Sequence, residues 1–492
     1  MTDSTITVSE VAARAAAAAR PFAATSPADR GAALVAVADA LDAHAGELIT
    51  IAMRETGLTE ARLTGELKRT SWQLRLFADT IVDGAYLDAR IDDADAAYVI
   101  GPRPDVRRVL EPVGPVLNFA ASNFPFAFSV AGGDSAAALA AGCPVVVKAH
   151  SGHPELSRRT AAIVAETLEG AGMPAGVFQL IEGQQNGVAL LQDERIRAGA
   201  FTGSTHVGRM LADIAAARSR PIPFYGELGS VNPVYATYAD AELLQGFVAS
   251  VAGSAGQLCT KPGFLFVPDD ADLSAVAPAA GGVAEHRLLN PGIGRAFEGR
   301  RSAVLGAEGA TVLAEGEIRE DESGQRHATP TVVAVGLDTL REHREELLEE
   351  SFGPLSVIVR YTDAEELPAV HEELFPGNLT STVHARADEL ADGSLDALVD
   401  ALAATSGRVL FGGWPTGVAV TPAMQHGGPY PATTTDATSV GTAGITRFLR
   451  GVAYQNAPQE LLPAPLRDDN PWRVPQTRSA AGGSTEWGAF AR

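Results

Sequence analysis

The sequence predicts an α/β protein built on a parallel, doubly wound sheet, with a second α/β unit following it. Apolar strand-like runs recur roughly every thirty residues between 116 and 201, with helical spacing between them. That is the βαβ rhythm of such a sheet. Residues that carry chemistry stand at the ends of these runs, where open parallel sheets bind ligands. At 492 residues the chain exceeds one compact core, so two or three domains are expected.

Taken in order, the first ninety residues are alanine-rich with helical spacing, as in Ala32–Leu41, and read as helices packed on something else. Tyr98–Ile100 and Val106–Leu110 flank Gly101-Pro102-Arg103-Pro104 and read as a short strand pair. The sheet then begins. Strands are expected at Val116–Phe119, Val145–Lys148, Val177–Ile181 and Ala198–Phe201, and helices at Phe126–Ala141, Pro154–Gly170, Val188–Gln192 and Thr205–Ala217. After Glu227 a second alternating set runs to about residue 420, broken by Pro-Gly pairs that mark turns. From about Ala457 the chain is proline-rich and weakly periodic; an arm against another subunit and a frayed terminus both fit.

Composition narrows the function. Hydrophobic residues at 46% and charged residues at 20% describe a globular chain, neither disordered nor fibrous. A net charge of −22 without a basic stripe argues against nucleic acid. With only Cys143 and Cys259, no disulfide framework is expected and a reducing compartment fits. Neither C-x-x-C nor H-E-x-x-H occurs, so no metal is expected. The first ten residues carry no basic segment leading into an apolar one, and no apolar run approaches a membrane span. The expectation is a cytoplasmic protein with no membrane partner.

Cys259 lies in Ser254-Ala-Gly-Gln-Leu-Cys259-Thr260, thirty-two positions after Glu227 in Tyr225-Gly-Glu227-Leu-Gly-Ser. A lone cysteine is usually an inert small hydrophobe. One set among small and polar residues, with a carboxylate in a glycine-containing loop, has the makings of a nucleophile and its base. Cys143, just before a strand, reads as buried filler.

Phe201-Thr-Gly203-Ser204-Thr205-His206-Val207-Gly208 follows a strand and opens a helix. Gly203 permits close backbone approach, Ser204 and Thr205 can cap the helix, and the exposed amides favour an anion. Ordinary capping explains this loop equally well by itself. Lys148, at the end of an earlier strand, can reach a ribose or a phosphate, or simply extend its charge into water. Two such loops at strand ends of one sheet face one crevice.

These motifs in this order resemble the aldehyde dehydrogenase superfamily over nearly the whole length. The resemblance rests on Ser122-Asn123-Phe124-Pro125, Val147-Lys148, Phe201–Gly208, Glu227-Leu-Gly, Gly256-Gln-x-Cys259-Thr260 and Glu349-Glu350-Ser-Phe352-Gly-Pro354. It implies a Rossmann-type dinucleotide-binding domain over 1–95 and 113–226 with part of 425–455. It also implies a catalytic domain over 227–424, and an oligomerisation arm and tail over 96–112 and 456–492. By the same resemblance Cys259 is the nucleophile, Glu227 the base, and Asn123 a donor to the oxyanion. Lys148, Ser151, Gly203, Ser204, Thr205, Gly208, Glu350 and Phe352 hold the cofactor, and the assembly is a homodimer or homotetramer.

The chemistry fits those residue types. A thiolate attacks an aldehyde carbon, and the Asn123 amide with the Cys259 N–H stabilises the oxyanion; losing one such donor costs about 3–4 kcal/mol of barrier. Collapse expels hydride to the nicotinamide and leaves a thioester. Glu227 activates the water that hydrolyses it.

Departures from commoner members are informative. Where NAD-preferring relatives often carry a glutamate three residues after the strand-end lysine, this chain has Ser151 in Lys148-Ala-His-Ser151. Serine does not repel a 2′-phosphate and Lys148 can pair with one, so NADP is favoured and NAD stays possible. Ala120-Ala-Ser-Asn123, Glu227-Leu-Gly-Ser230, Lys148–Pro154, His426-Gly-Gly-Pro-Tyr-Pro431 and Arg447–Asn456 resemble a narrower branch. It holds 2-oxoglutarate semialdehyde dehydrogenases and an NADP-linked fatty aldehyde dehydrogenase, and the semialdehyde is the favoured substrate. A fatty or aromatic aldehyde dehydrogenase of that branch, an acyl-transferring relative, and a catalytically silent scaffold are the rival readings.

Overall fold

A computed structural model describes residues 7–487; the expected N-terminal segment and tail extend beyond these limits. Four helices come first: Val8–Ala23, Pro27–Ala43, Ala45–Thr56 and Glu60–Asp83. Their ends follow local chemistry. Ser26 caps the second helix ahead of Pro27, and Gly84 closes the fourth in the left-handed region at φ +81°, a conformation that glycine adopts without a Cβ penalty. Their apolar faces share one core with the strands and helices that follow.

Five strands form the first sheet, in spatial order Phe178–Ile181, Val145–Lys148, Val116–Phe119, Ala198–Thr202, Phe224–Glu227. All neighbours are parallel. The order reverses on either side of Val116–Phe119, which makes the carboxyl ends of Val116–Phe119 and Ala198–Thr202 the switch point for a ligand crevice. Asn123 follows the first of these strands and Gly203 the second.

Seven strands form the second sheet, in the order Thr311–Ala314, Thr331–Gly336, Leu355–Tyr361, Phe264–Pro268, Pro233–Ala236, Asn378–His384, Ser406–Phe411. Only the first pair is antiparallel. Cys259, Ser230 and Phe352 all precede strands of this sheet. The carboxyl edge of the five-stranded sheet therefore meets the amino edge of the seven-stranded one, and the motifs gather at that junction.

A third, four-stranded sheet orders Leu449–Gln455, Val106–Pro112, Ala89–Asp92 and Gln476–Ser479. It takes in Ala89–Asp92 and Leu449–Gln455, which the sequence grouped with the nucleotide-binding segment. The tail is no loose end within the described residues: Gln476–Ser479 pairs in parallel with Ala89–Asp92.

Three expected elements differ. Tyr98–Ile100 is a turn rather than a strand, closed by the Gly101 amide donating to the Tyr98 carbonyl at 3.0 Å, and Ala89–Asp92 takes its place beside Val106–Pro112. The helix expected at Phe126–Ala141 spans only Asp134–Ala141. Gly133 at φ +52° breaks the earlier part, and Glu66 takes the amides of Phe126 and Ala127 at 2.8 and 3.0 Å. Residues 124–133 are buried almost throughout, so their apolar spacing carried no directional signal. The helix Val188–Gln192 begins earlier, at Gln184.

Candidate active site

Three side chains meet at the junction of the sheets. The Cys259 sulfur lies 3.6 Å from His426 Nε2, and the same nitrogen lies 3.1 Å from Glu227 Oε1. Ser439 Oγ donates to Glu227 Oε2 at 2.7 Å. His426 is held by its own amide, which donates to Thr438 Oγ1 at 2.9 Å; its Nδ1 is buried without a partner among the described residues. The three ligand-capable atoms lie within 4.8 Å of one another, a spacing that a metal ion could also bridge.

Electrostatics set opposite states for the two reacting groups. Burial by itself would raise Glu227, but the facing His426 and hydrogen bonds from His426, Ser439 and Cys259 hold it below the ordinary carboxylate value. Burial raises Cys259 well above the ordinary thiol value; the Glu227 charge and hydrogen bond and the Glu350 charge add to this, and Arg69 opposes them. At neutral pH the resting pair is thus a thiol beside a carboxylate. Cys259 keeps part of its surface open to the cavity above it.

The loop that presents Cys259 is unusual. Ser254, Ala255 and Gly256 all have positive φ, at 51°, 53° and 65°, a region costly for residues with a Cβ. Arg62 ties this turn down, donating to Ser254 Oγ at 2.8 Å and to the Asn123 carbonyl at 2.9 Å. Below the turn, Asn232 Nδ2 donates to the Cys259 and Lys261 carbonyls at 2.8 and 3.0 Å. Asn123 is brought to the same loop: its Nδ2 donates to the Gln257 carbonyl at 3.1 Å, which leaves the second N–H of that amide for another acceptor.

The residues expected to hold a dinucleotide converge only in part. Thr205 Oγ1 accepts from the Gly229 amide at 3.1 Å, and a Cβ on Gly229 would lie 2.7 Å from Glu350 Oε2 and 2.9 Å from Thr205 Oγ1. Thus Thr205, the Glu-Leu-Gly loop and Glu350 meet at the start of helix Thr205–Ala216. Ser204 occupies the N-cap position without a side-chain cap among the described residues, so the first amides of that helix remain available to an anion. Gly208 lets Leu228 and Phe201 approach where a Cβ would collide. Lys148 ends its strand half-buried, its stem against Gly187, and Ser151 is exposed on the following turn. Burial raises Glu350 to about 7, with the Lys261 charge opposing it. Phe352 packs on the main core with only part of its ring exposed. A free helix start at the switch point, on the same sheet edge as Lys148, offers amides to an anion.

Sequence reading missed several neighbours. Arg62, Glu66 and Arg69 lie on one stripe of helix Glu60–Asp83 and, with Phe124, Phe128, Thr416, Gly417, Val418 and His426, line a cavity of about 200 Å³ that opens on Cys259. Their i, i+4, i+7 spacing was the available signal, in a helix otherwise read as packing. His426 was noted only as part of a motif. Asn232 and Lys261 gave none.

The chain is similar to known proteins. The model described as "Aldehyde dehydrogenase family" matches residues 2–291. Alpha-ketoglutaric semialdehyde dehydrogenase 2 of Azospirillum brasilense is 42% identical over 91% of this chain and 86% of its own. Alpha-ketoglutaric semialdehyde dehydrogenase of Acinetobacter baylyi is 40% identical over 87% and 82%. Methylmalonate-semialdehyde dehydrogenase of Oceanimonas doudoroffii has the same fold at a TM-score of 0.77 and 20% identity, covering 92% of this chain and 90% of that one.

Proposed function

The chain belongs to the aldehyde dehydrogenase family, and from that membership we propose that it oxidises 2-oxoglutarate semialdehyde to 2-oxoglutarate with a nicotinamide dinucleotide, NADP in preference to NAD. The observation that carries the chemistry is the contact of Cys259 with His426 and Glu227 at the floor of a cavity. The semialdehyde reading is supported by the two relatives of 40% identity or more. Ser151 and Lys148 favour NADP because neither repels a 2′-phosphate.

Cys259 adds to the aldehyde carbon as its proton passes to the Glu227 carboxylate, so the thiol reacts without a standing thiolate. The free N–H of Asn123 and the Cys259 amide take the oxyanion. A bound nicotinamide dinucleotide would supply the hydride acceptor that this oxidation requires. Lys148, Ser151, Gly203, Ser204, Thr205, Gly208, Glu350 and Phe352 would hold it, the free helix start offering its amides to an anion. Glu227 gives the first proton up to solvent and then withdraws one from the water attacking the thioester; the departing sulfur takes that proton back and the thiol is restored. Release is hydrolytic and non-phosphorylating, since a carboxylate base stands beside the sulfur.

In this reading the five-stranded sheet binds the dinucleotide and the seven-stranded sheet carries the nucleophile. The four-stranded sheet joins subunits into a homodimer or homotetramer. No helix among the described residues is long and apolar enough to cross a membrane, and a reducing, cytoplasmic setting keeps Cys259 a free thiol.

The test is a rate comparison of 2-oxoglutarate semialdehyde with pentanal, each with NADP and NAD, read by nicotinamide absorbance. The proposal expects preference for the semialdehyde with NADP. Preference for pentanal would move the pocket to the fatty-aldehyde rival, and no reduction with any pair would favour a silent scaffold.

A further inference from the structure

We propose that Arg69 binds the distal carboxylate of the substrate, and so forms the anion subsite of the cavity above Cys259. The inference rests on the semialdehyde reading and names the residue that would select it.

Three charged side chains of helix Glu60–Asp83 line that cavity, and two are already committed. Arg62 donates to Ser254 Oγ, to the Asn123 carbonyl and, at 3.4 Å, to Glu66 Oε2. Glu66 Oε1 accepts the amides of Phe126 and Ala127. Arg69 is different. Its Nε is buried without a partner among the described residues, and its guanidinium lies 5.2 Å from the Phe128 ring centroid and 5.8 Å from that of Phe124. A guanidinium stays charged, and with no hydrogen bond to another described residue its terminal N–H groups are the donors left for a ligand in the cavity.

The charge balance of the wall favours an anion, because two arginines face one glutamate. Glu66 acts most strongly on the Arg69 charge, and Cys259 and Glu227 act on it as well, which places it near the reacting groups. An extended five-carbon chain of C–C bonds about 1.5 Å long places its ends roughly 5 Å apart, a span the cavity of about 200 Å³ accommodates. The aldehyde would meet Cys259 while the carboxylate takes the guanidinium fork, a geometry suited to two parallel hydrogen bonds. Phe124 and Phe128 would flank the carbon chain between them.

The experiment measures kcat/KM for 2-oxoglutarate semialdehyde and for pentanal in the wild type, Arg69→Met, Arg69→Lys and Arg62→Met, each checked for folding by its melting curve. Because Arg69 also acts on the Cys259 thiol, the readout is the ratio of the two substrates. Losing a charge-assisted bond should lower that ratio about tenfold to hundredfold in Arg69→Met, chiefly through KM for the semialdehyde, with part of it restored in Arg69→Lys. Arg62→Met, which loosens the Asn123 and Ser254 contacts, should depress both substrates alike. An unchanged ratio in Arg69→Met overturns the subsite. A wild type that prefers pentanal instead overturns the substrate reading beneath it. Should Arg69→Met fail to fold, glutarate inhibition of pentanal oxidation serves: competitive inhibition weakened about tenfold in Arg69→Lys supports the subsite, and an unaltered inhibition constant overturns it.

Discussion

A half-buried thiol next to a carboxylate faces a proton problem, and the side chains around Cys259 solve it locally. Its raised pKa means the protonated form prevails at neutral pH, and the thiolate fraction grows as pH rises toward that pKa. Alkylation of the free enzyme by iodoacetamide should therefore rise about tenfold per unit from pH 7 to 9 without a plateau; a plateau below pH 8 would show a resting thiolate. His426→Asn should slow oxidation about tenfold to a hundredfold by removing the imidazole that holds Glu227 ionised as the base, measured as kcat with saturating cofactor. Cys259 and Glu227 were legible in the sequence because nucleophile and base need those residue types in small-residue loops. His426 was not, since 167 positions separate it from Cys259 and 199 from Glu227, and only the folded chain joins them.

Elements set the precision of those contacts. The left-handed turn at 254–256 presses Gly256 against the backbone of Gly353 and Pro354, where a Cβ would lie 2.6 Å from Pro354 N. Gly256→Ala should thus cost about 1–3 kcal/mol of stability and lower kcat by shifting the Cys259 loop; an unchanged melting temperature would show that the loop yields freely. At the end of strand Val145–Lys148, the turn exposes Ser151. Ser151→Glu should weaken NADP binding far more than NAD binding, measured by titration of each cofactor, because the new carboxylate would face a 2′-phosphate. Equal weakening would remove Ser151 from the ribose site. The sheet strands were legible because short apolar runs bounded by turn residues recur at regular intervals with helical spacing between them. The segment at 126–133 was not. It is buried on all sides, and its path is decided by Glu66, sixty residues away in sequence.

Across the whole molecule, segments far apart in the chain close each unit. Strands at 89–92, 106–112, 449–455 and 476–479 make one sheet, and the buried Arg447 pairs with Asp134 to seat the segment at 442–448 against helix Asp134–Ala141. Exposed apolar residues stand beside the four-stranded sheet, with Val99 77% and Ile100 86% exposed. If that sheet joins subunits, Val99→Asp with Ile100→Asp should lower the mass measured by light scattering; an unchanged mass would place the interface elsewhere. The sequence pointed to an arm and tail here from weak periodicity and proline content. It could not reveal that the tail closes a sheet begun at residue 89, because parallel pairing across such a span leaves no local pattern.

The central claim is that Cys259 forms a thioester that Glu227 hydrolyses. Its most direct test is a single-turnover measurement on Glu227→Gln, following nicotinamide reduction in stopped flow and the mass of the protein after quenching. The account predicts a burst of about one equivalent per site, an acyl group retained on Cys259, and slow release thereafter. Steady turnover at the wild-type rate with no acyl-enzyme would contradict it.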